Sequence, residues 1–232
     1  MGNILSSSVK GGESIAYKDV DHAIRDAHFV TTLEDYAAMA ADTYSDKAKK
    51  LALRVIDCPP KLAKEGYFGR AYAFLAGKDM ILVIAHRGAD GVSDLDDLTQ
   101  ARMGKYPDQY AYAYKFTTYA MKLVQKSTKG KLHLEHTGYG FGSVLAELCA
   151  LNPKYPGRAI SFNGYGVKKI AAKTPKTLVE KCPIFSFHSP AGISDELKER
   201  TFGQLFYFSQ KDSEMETFIS SIKKQPKLVK VV

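Results

Sequence analysis

The pattern with the most chemical content is Gly138-x-Gly140-x-Gly142, entered from the run Leu132–His136 and left through the apolar run Gly142–Leu151. A strand that turns through glycines straight into a helix is the setting in which Gly-x-Ser-x-Gly presents a nucleophilic serine for acyl transfer. The outer glycines permit the tight turn, and the strained central residue stands above the sheet edge. The helix N-terminus behind it stabilises an oxyanion. Here the central residue is Gly140, which has no side chain to attack with. Ser143 falls in the first turn of the helix and reads as an N-terminal hydrogen-bonding residue rather than a nucleophile. Cys149 reads as inert core within an apolar helix. His136 and His188 fall near strand C-termini, where sites occur in open α/β sheets, although a structural or solvent-facing role is the plainer reading of each. A dinucleotide loop fits less well. The third glycine of Gly-x-Gly-x-x-Gly would be Ser143, and the next strand ends Ser161-Phe162-Asn163-Gly164 with no acid for a ribose.

The elements that would position this turn follow from periodicity and turn chemistry. Leu33–Tyr44 is predicted helical, with Leu33, Tyr36, Ala37, Ala40 and Tyr44 on one stripe. Thr31 with Glu34, or Thr32 with Asp35, offers it a capping box. Strands are predicted at Leu51–Ile56, Ala71–Leu75 and Met80–Ala85, the last two joined through Gly77-Lys78-Asp79 as a hairpin. Beyond them the pattern alternates. Helices are expected at Tyr106–Gln125, Gly142–Leu151, Val167–Ala172, Asp195–Arg200 and Glu214–Ile222. Strands are expected at Leu132–His136, Ala159–Phe162, Ile184–Phe187, Leu205–Phe208 and Leu228–Val231. Such alternation implies right-handed crossovers and a mostly parallel sheet covered on both faces. Residues 1–31, with Gly2, Ser6-Ser7-Ser8 and Gly11-Gly12, read as a flexible arm, extended or loosely ordered, leaving 32–232 as a single domain.

The segment Thr137-Gly138-Tyr139-Gly140-Phe141-Gly142-Ser143-Val144-Leu145-Ala146 resembles the signature Thr-Gly-His-Ser-Leu-Gly-Gly-Ala-Leu-Ala of the fungal-type (class 3) lipases, which are α/β-hydrolases. The run Ile81-Leu82-Val83-Ile84-Ala85-His86-Arg87-Gly88-Ala89 is similar to that family's strand ending in Arg-Gly-Thr beside the oxyanion hole. Asp94-Leu95-Asp96-Asp97-Leu98 resembles the acidic segment after it, and Ala159–Gly164 the strand after the elbow helix. Leu205-Phe206-Tyr207-Phe208-Ser209-Gln210-Lys211-Asp212 resembles the strand end that carries the triad aspartate. The likeness runs from about Leu33 to Ile219. It implies a single α/β-hydrolase-like domain with Asp212 as a remnant acid. It also implies a dismantled triad, since Gly140 replaces the serine and no histidine follows Asp212.

At 232 residues the chain can form one sizeable domain, and 45% hydrophobic residues supply its core. The formal charge of +8 is scattered rather than clustered, without the interleaved aromatics of a single-strand groove, so it does not point to nucleic acid. Cys58, Cys149 and Cys182 are far apart, with no Cys-x-x-Cys or zinc-spaced Cys/His pattern. No metal, no cofactor and a reducing compartment are therefore expected. No run of about 18 apolar residues could span a membrane, and the N-terminus lacks a basic-then-apolar secretory layout.

Met1-Gly2-Asn3-Ile4-Leu5-Ser6 satisfies the N-myristoylation pattern, with Gly2 as the attachment point. One acyl chain binds a membrane only marginally, so Lys10, Lys18 and the basic surface would supply a second signal. Taken together, these features predict a catalytically inactive lipase-like protein acting as a membrane-associated or assembly module. Its expected place is the cytoplasm, peripherally bound to membrane in a eukaryotic or infected eukaryotic cell. Protein partners and a bound lipid are further expectations. The alternatives are a structural component of a virus particle and an active esterase with a relocated nucleophile.

Overall fold

The computed structural model describes residues 12–26, 31–63, 66–91, 94–189, 201–208, 222 and 228–231. Nine strands form one sheet: β1 (Gly12–Ile15), β2 (Arg54–Asp57), β3 (Gly69–Ala76), β4 (Asp79–His86), β5 (Leu132–Tyr139), β6 (Arg158–Phe162), β7 (Ile184–His188), β8 (Gln204–Phe208) and β9 (Leu228–Val231). Their spatial order is β1-β9-β8-β7-β6-β5-β4-β3-β2. The five central strands, β4 to β8, are parallel. Antiparallel pairs flank them, β2 and β3 on one side and β9 and β1 on the other. The α/β class and the mostly parallel sheet are thus as the alternation of the sequence implies.

Both faces are covered, and the strand sequences record it. In β4, Met80, Leu82 and Ile84 pack into one apolar cluster, while Ile81, Val83 and Ala85 pack into the other. A strand buried on both faces gains nothing from polar alternation, which is why its run is almost continuously apolar. The first cluster is closed by α5 (Gln109–Gln125) and α6 (Phe141–Ala150). The second is closed by α1 (Tyr17–Asp26) and α2 (Leu33–Asp42). Thr32 caps α2: the Asp35 amide donates to Thr32 Oγ1 at 3.2 Å, and the Thr32 amide donates to Asp35 Oδ2 at 3.1 Å. The remaining helices are α3 (Pro60–Ala63), α4 (Leu95–Arg102) and α7 (Lys176–Lys181).

Two expectations are corrected. The arm is not loosely ordered throughout. Gly12–Ile15 adds a strand to β9, and α1 buries Tyr17, Val20 and Ile24 against the sheet. Their i, i+3, i+7 spacing is an amphipathic stripe that the flanking Ser and Gly runs disguise. The stretch expected as a helix over Val167–Ala172 forms turns over 168–173 instead, hemmed between Gly166, at φ 69°, and Pro175. The Asp94–Leu98 segment opens α4, and its acids tie that helix to the loop before it and to the start of α5. Asp94 accepts from the Asp90 amide at 2.7 Å and from Gln109 Nε2 at 2.6 Å, and Asp97 accepts from the Gln109 amide at 3.2 Å. The helices expected at Asp195–Arg200 and Glu214–Ile222 lie outside the described residues, save Ile222. Among the described residues, no helix is long and apolar enough to cross a membrane.

Candidate functional site

One residue separates β5 from α6. Gly140 sits between them at φ 58° and ψ −121°, a backbone conformation that L side chains rarely adopt. Its amide donates to the Phe162 carbonyl at 2.8 Å, tying the turn to the end of β6. Its carbonyl accepts from the Ser143 amide at 3.2 Å and from Ser143 Oγ at 2.7 Å. Ser143 is fully buried, and its hydroxyl is spent on closing the first turn of α6. It is a capping residue, not an exposed nucleophile.

The three glycines of the turn are there for different reasons. A Cβ on Gly138 would lie 2.3 Å from the Gly142 carbonyl oxygen, and one on Gly142 would lie 2.2 Å from that of His86. Backbone closes on both, so neither position accepts a side chain. A Cβ on Gly140 would meet nothing within 4 Å. The apex is therefore a position with room for a side chain and with the geometry that presents one, yet it carries none.

The loop after β4 approaches the same turn. A Cβ on Gly88 would lie 2.6 Å from the Tyr139 carbonyl oxygen and 2.5 Å from the hydroxyl of Tyr44. The Gly88 amide donates to that hydroxyl at 2.9 Å. In an elbow site the loop after this strand lends a backbone N–H to the oxyanion hole; here the Gly88 N–H already has an internal acceptor. Burial holds the Tyr44 phenol above its ordinary range, so it stays neutral. Tyr139, beside the apex, accepts from Asn163 Nδ2 at 2.9 Å, and Asn163 Oδ1 accepts from the Ser189 amide at 2.7 Å. The ends of β5, β6 and β7 are thereby laced together, and Asn163 takes φ 49° to do it.

The expected histidines are not at this opening. His136 and His188 are both buried, and burial pushes each imidazole down to about 3. Cys149 is buried as expected, its thiol pushed up to about 12 by burial. It does not lie alone, however. Ligand atoms of His86, His136 and Cys149 all lie within 4.8 Å of one another. The absence of zinc spacing in the sequence missed this cluster, because its members come from β4, β5 and α6. Glu147 is a second surprise, fully buried on α6. Its Oε1 accepts from Ser161 Oγ at 2.7 Å and Ser186 Oγ at 3.0 Å, and burial pushes its carboxyl up to about 7. The signal for it was a lone glutamate in an otherwise apolar helix. Asp212 and Gly2 lie outside the described residues, so the remnant acid and the lipid attachment point stay expectations.

A groove of about 580 Å³ opens elsewhere, lined by Tyr106, Tyr110, Leu148, Ile170 and Leu178 among others. It adjoins the C-terminal end of α6, roughly 13 Å along that helix from the elbow at 1.5 Å per residue.

No family model and no curated protein matches the chain. Among solved structures, a hyperthermophilic esterase from the archaeon Pyrobaculum calidifontis is similar at 11% identity, with 80% of this chain and 77% of that one covered, at a TM-score of 0.35. With a likeness this distant, the functional reading rests on the turn itself.

Proposed function

We propose that this chain is a non-catalytic relative of the α/β-hydrolases, of the class 3 lipase type, that acts by binding rather than by chemistry. The observation that carries the reading is the apex: a strand–turn–helix at φ 58° and ψ −121° with open space above Gly140 and closed backbone around Gly138 and Gly142. The Tyr44 hydroxyl supports it from the other side, as the acceptor for a backbone donor that a working site would leave for substrate. Ser143 offers no relocated nucleophile, being buried and engaged at the Gly140 carbonyl.

In this reading the protein is held at a membrane through a myristoyl group on Gly2, with the basic surface as the second attraction. It serves there as a binding or assembly module. The test is hydrolytic silence. Purified protein is expected to hydrolyse short-chain nitrophenyl esters no faster than a heat-denatured control, and a fluorophosphonate probe is expected to label no serine. Stoichiometric labelling of any serine would sink the reading. For the anchor, intact mass from eukaryotic expression should show loss of Met1 and gain of one myristoyl group, both reversed in Gly2→Ala. A free N-terminal glycine on the wild type refutes it.

A further inference from the structure

Beneath the elbow, two imidazoles and a thiol are gathered in the core with the hydroxyls of Tyr67, against His86, and Thr117, against Cys149. His86 ends β4, His136 lies on β5 two residues before Gly138, and Cys149 lies on the facing side of α6. Cys149 and Tyr67 belong to the apolar cluster that also holds Leu82, Ile84, Phe116, Leu134 and Leu145. All three side chains are buried. His86 Nε2 and His136 Nδ1 point at each other across 3.1 Å, with the rings stacked at 17°. The other nitrogen of His86 shares a hydrogen bond of 2.9 Å with the Tyr67 hydroxyl, and His136 Nε2 is buried with no partner among the described residues.

Two polar rings buried side by side weaken a core that leucines would fill without that penalty, and the nitrogen of His136 without a partner is the one turned away from His86. The arrangement makes sense as a donor set. Atoms bound to one metal ion at ~2.0–2.3 Å stand roughly 3.5 Å apart, and these lie between 3.1 and 4.8 Å. Tyr67 supplies what a ligating histidine needs on its far nitrogen, a hydrogen-bond partner: with the Nδ1 proton donated to the Tyr67 oxygen, His86 Nε2 is left to bind.

We propose that His86, His136 and Cys149 bind one Cu(I) ion beneath the elbow turn. Charge selects this ion over zinc. Cys149 is the one donor of the three that can carry a negative charge, so one thiolate and two neutral imidazoles around Cu(I) sum to zero. Around Zn(II) they would leave an uncompensated positive charge in the core. Softness points the same way, since a three-donor His₂Cys set suits copper. Each ion that binds displaces the thiol proton, which leaves to solvent, and no electron is transferred. Because the site is closed, loading belongs to folding or to a transient opening of α6 against β4 and β5. The assignment is independent of whether the elbow is catalytic.

The test is metal content. The full chain is produced in cells supplied with copper and zinc together, then purified under reducing, oxygen-free conditions. About one copper per chain is expected to survive a colorimetric Cu(I) chelator in excess. X-ray absorption on that protein should show one sulfur and two imidazole scatterers. Cys149→Ala and His86→Gln should retain at least tenfold less copper, while Cys58→Ala and Cys182→Ala should retain it in full. Zinc in place of copper, no retained metal, equal retention in Cys149→Ala, or scattering without sulfur would each overturn the proposal. Because the absorption spectrum is read on the wild type, the decision stands even where a core variant fails to fold.

Discussion

A methyl group added at Gly142 would stand 2.2 Å from the His86 carbonyl oxygen, and one added at Gly140 would stand in open space. Two small side chains introduced two residues apart should therefore differ in cost and in its cause. Gly142→Ala must push β4 and α6 apart and is expected to cost about 3 kcal/mol or more, as overpacking against backbone does. Gly140→Ser meets only the conformational penalty of a side chain at φ 58° and ψ −121°, about 1–3 kcal/mol. Chemical denaturation of the two variants measures the difference. Gly140→Ser should also stay inactive toward nitrophenyl esters, since none of the histidines of the chain follows Asp212 and the Gly88 amide is engaged by Tyr44. Appreciable turnover in this variant would reveal a general base at the elbow. Equal destabilisation of the two variants would contradict the packing around the turn.

At the scale of elements, what the sequence made legible was whatever repeats locally. The helix from Leu33, its Thr32–Asp35 capping box, the Gly77-Lys78 hairpin turn and the strand leading into Gly140 are all written within a few residues of themselves. The glycine turn between β5 and α6 was legible for the same reason. The roles of Tyr44, Glu147 and the His86–His136–Cys149 cluster were not, because each depends on residues 13 to 63 positions apart that only the tertiary fold brings together. Residues 12–26 were misread for a different cause. Low-complexity flanks concealed the stripe of Tyr17, Val20 and Ile24, and the partner of β1 is β9, at the other end of the chain. That pairing makes α1 and β1 part of the fold, with a measurable consequence. Val20 is fully buried, so Val20→Asp places a carboxylate in the core formed by Leu33, Tyr36 and Phe206. A loss of about 2–4 kcal/mol in urea unfolding is expected. A change below about 0.5 kcal/mol would mean that α1 is an appendage rather than a structural element.

Across the whole molecule, buried ionisable groups set how stability responds to acid, and they pull in opposite directions. Burial raises Glu135 and Glu147 to about 7, so the stability tied to their neutral forms is complete below about 4.5 and declines as pH rises toward 7. Burial lowers His188 to about 3, against about 6.5 in an unfolded chain. Between those values the unfolded state binds a proton that the folded state refuses. The contribution of His188 is therefore complete above about 6.5 and is lost as pH falls toward 3, at up to about 1.4 kcal/mol per pH unit. The total profile sums these opposing trends, and a single variant separates them. His188→Gln leaves a neutral side chain beside Tyr207, whose ring centroid lies 6.0 Å from that of the imidazole. At pH 7.5 it should be less stable than the wild type, having lost a fitted ring. As pH is lowered from 6.5 to 5, the gap between the two proteins should narrow by about 1–2 kcal/mol, because one of them no longer has this proton to refuse. Urea unfolding at pH 7.5, 6.5, 5.5 and 5 reads that gap directly. A gap that stays constant over this range would mean that His188 takes up its proton in the folded protein, and that the C-terminal end of β7 is open to water rather than sealed.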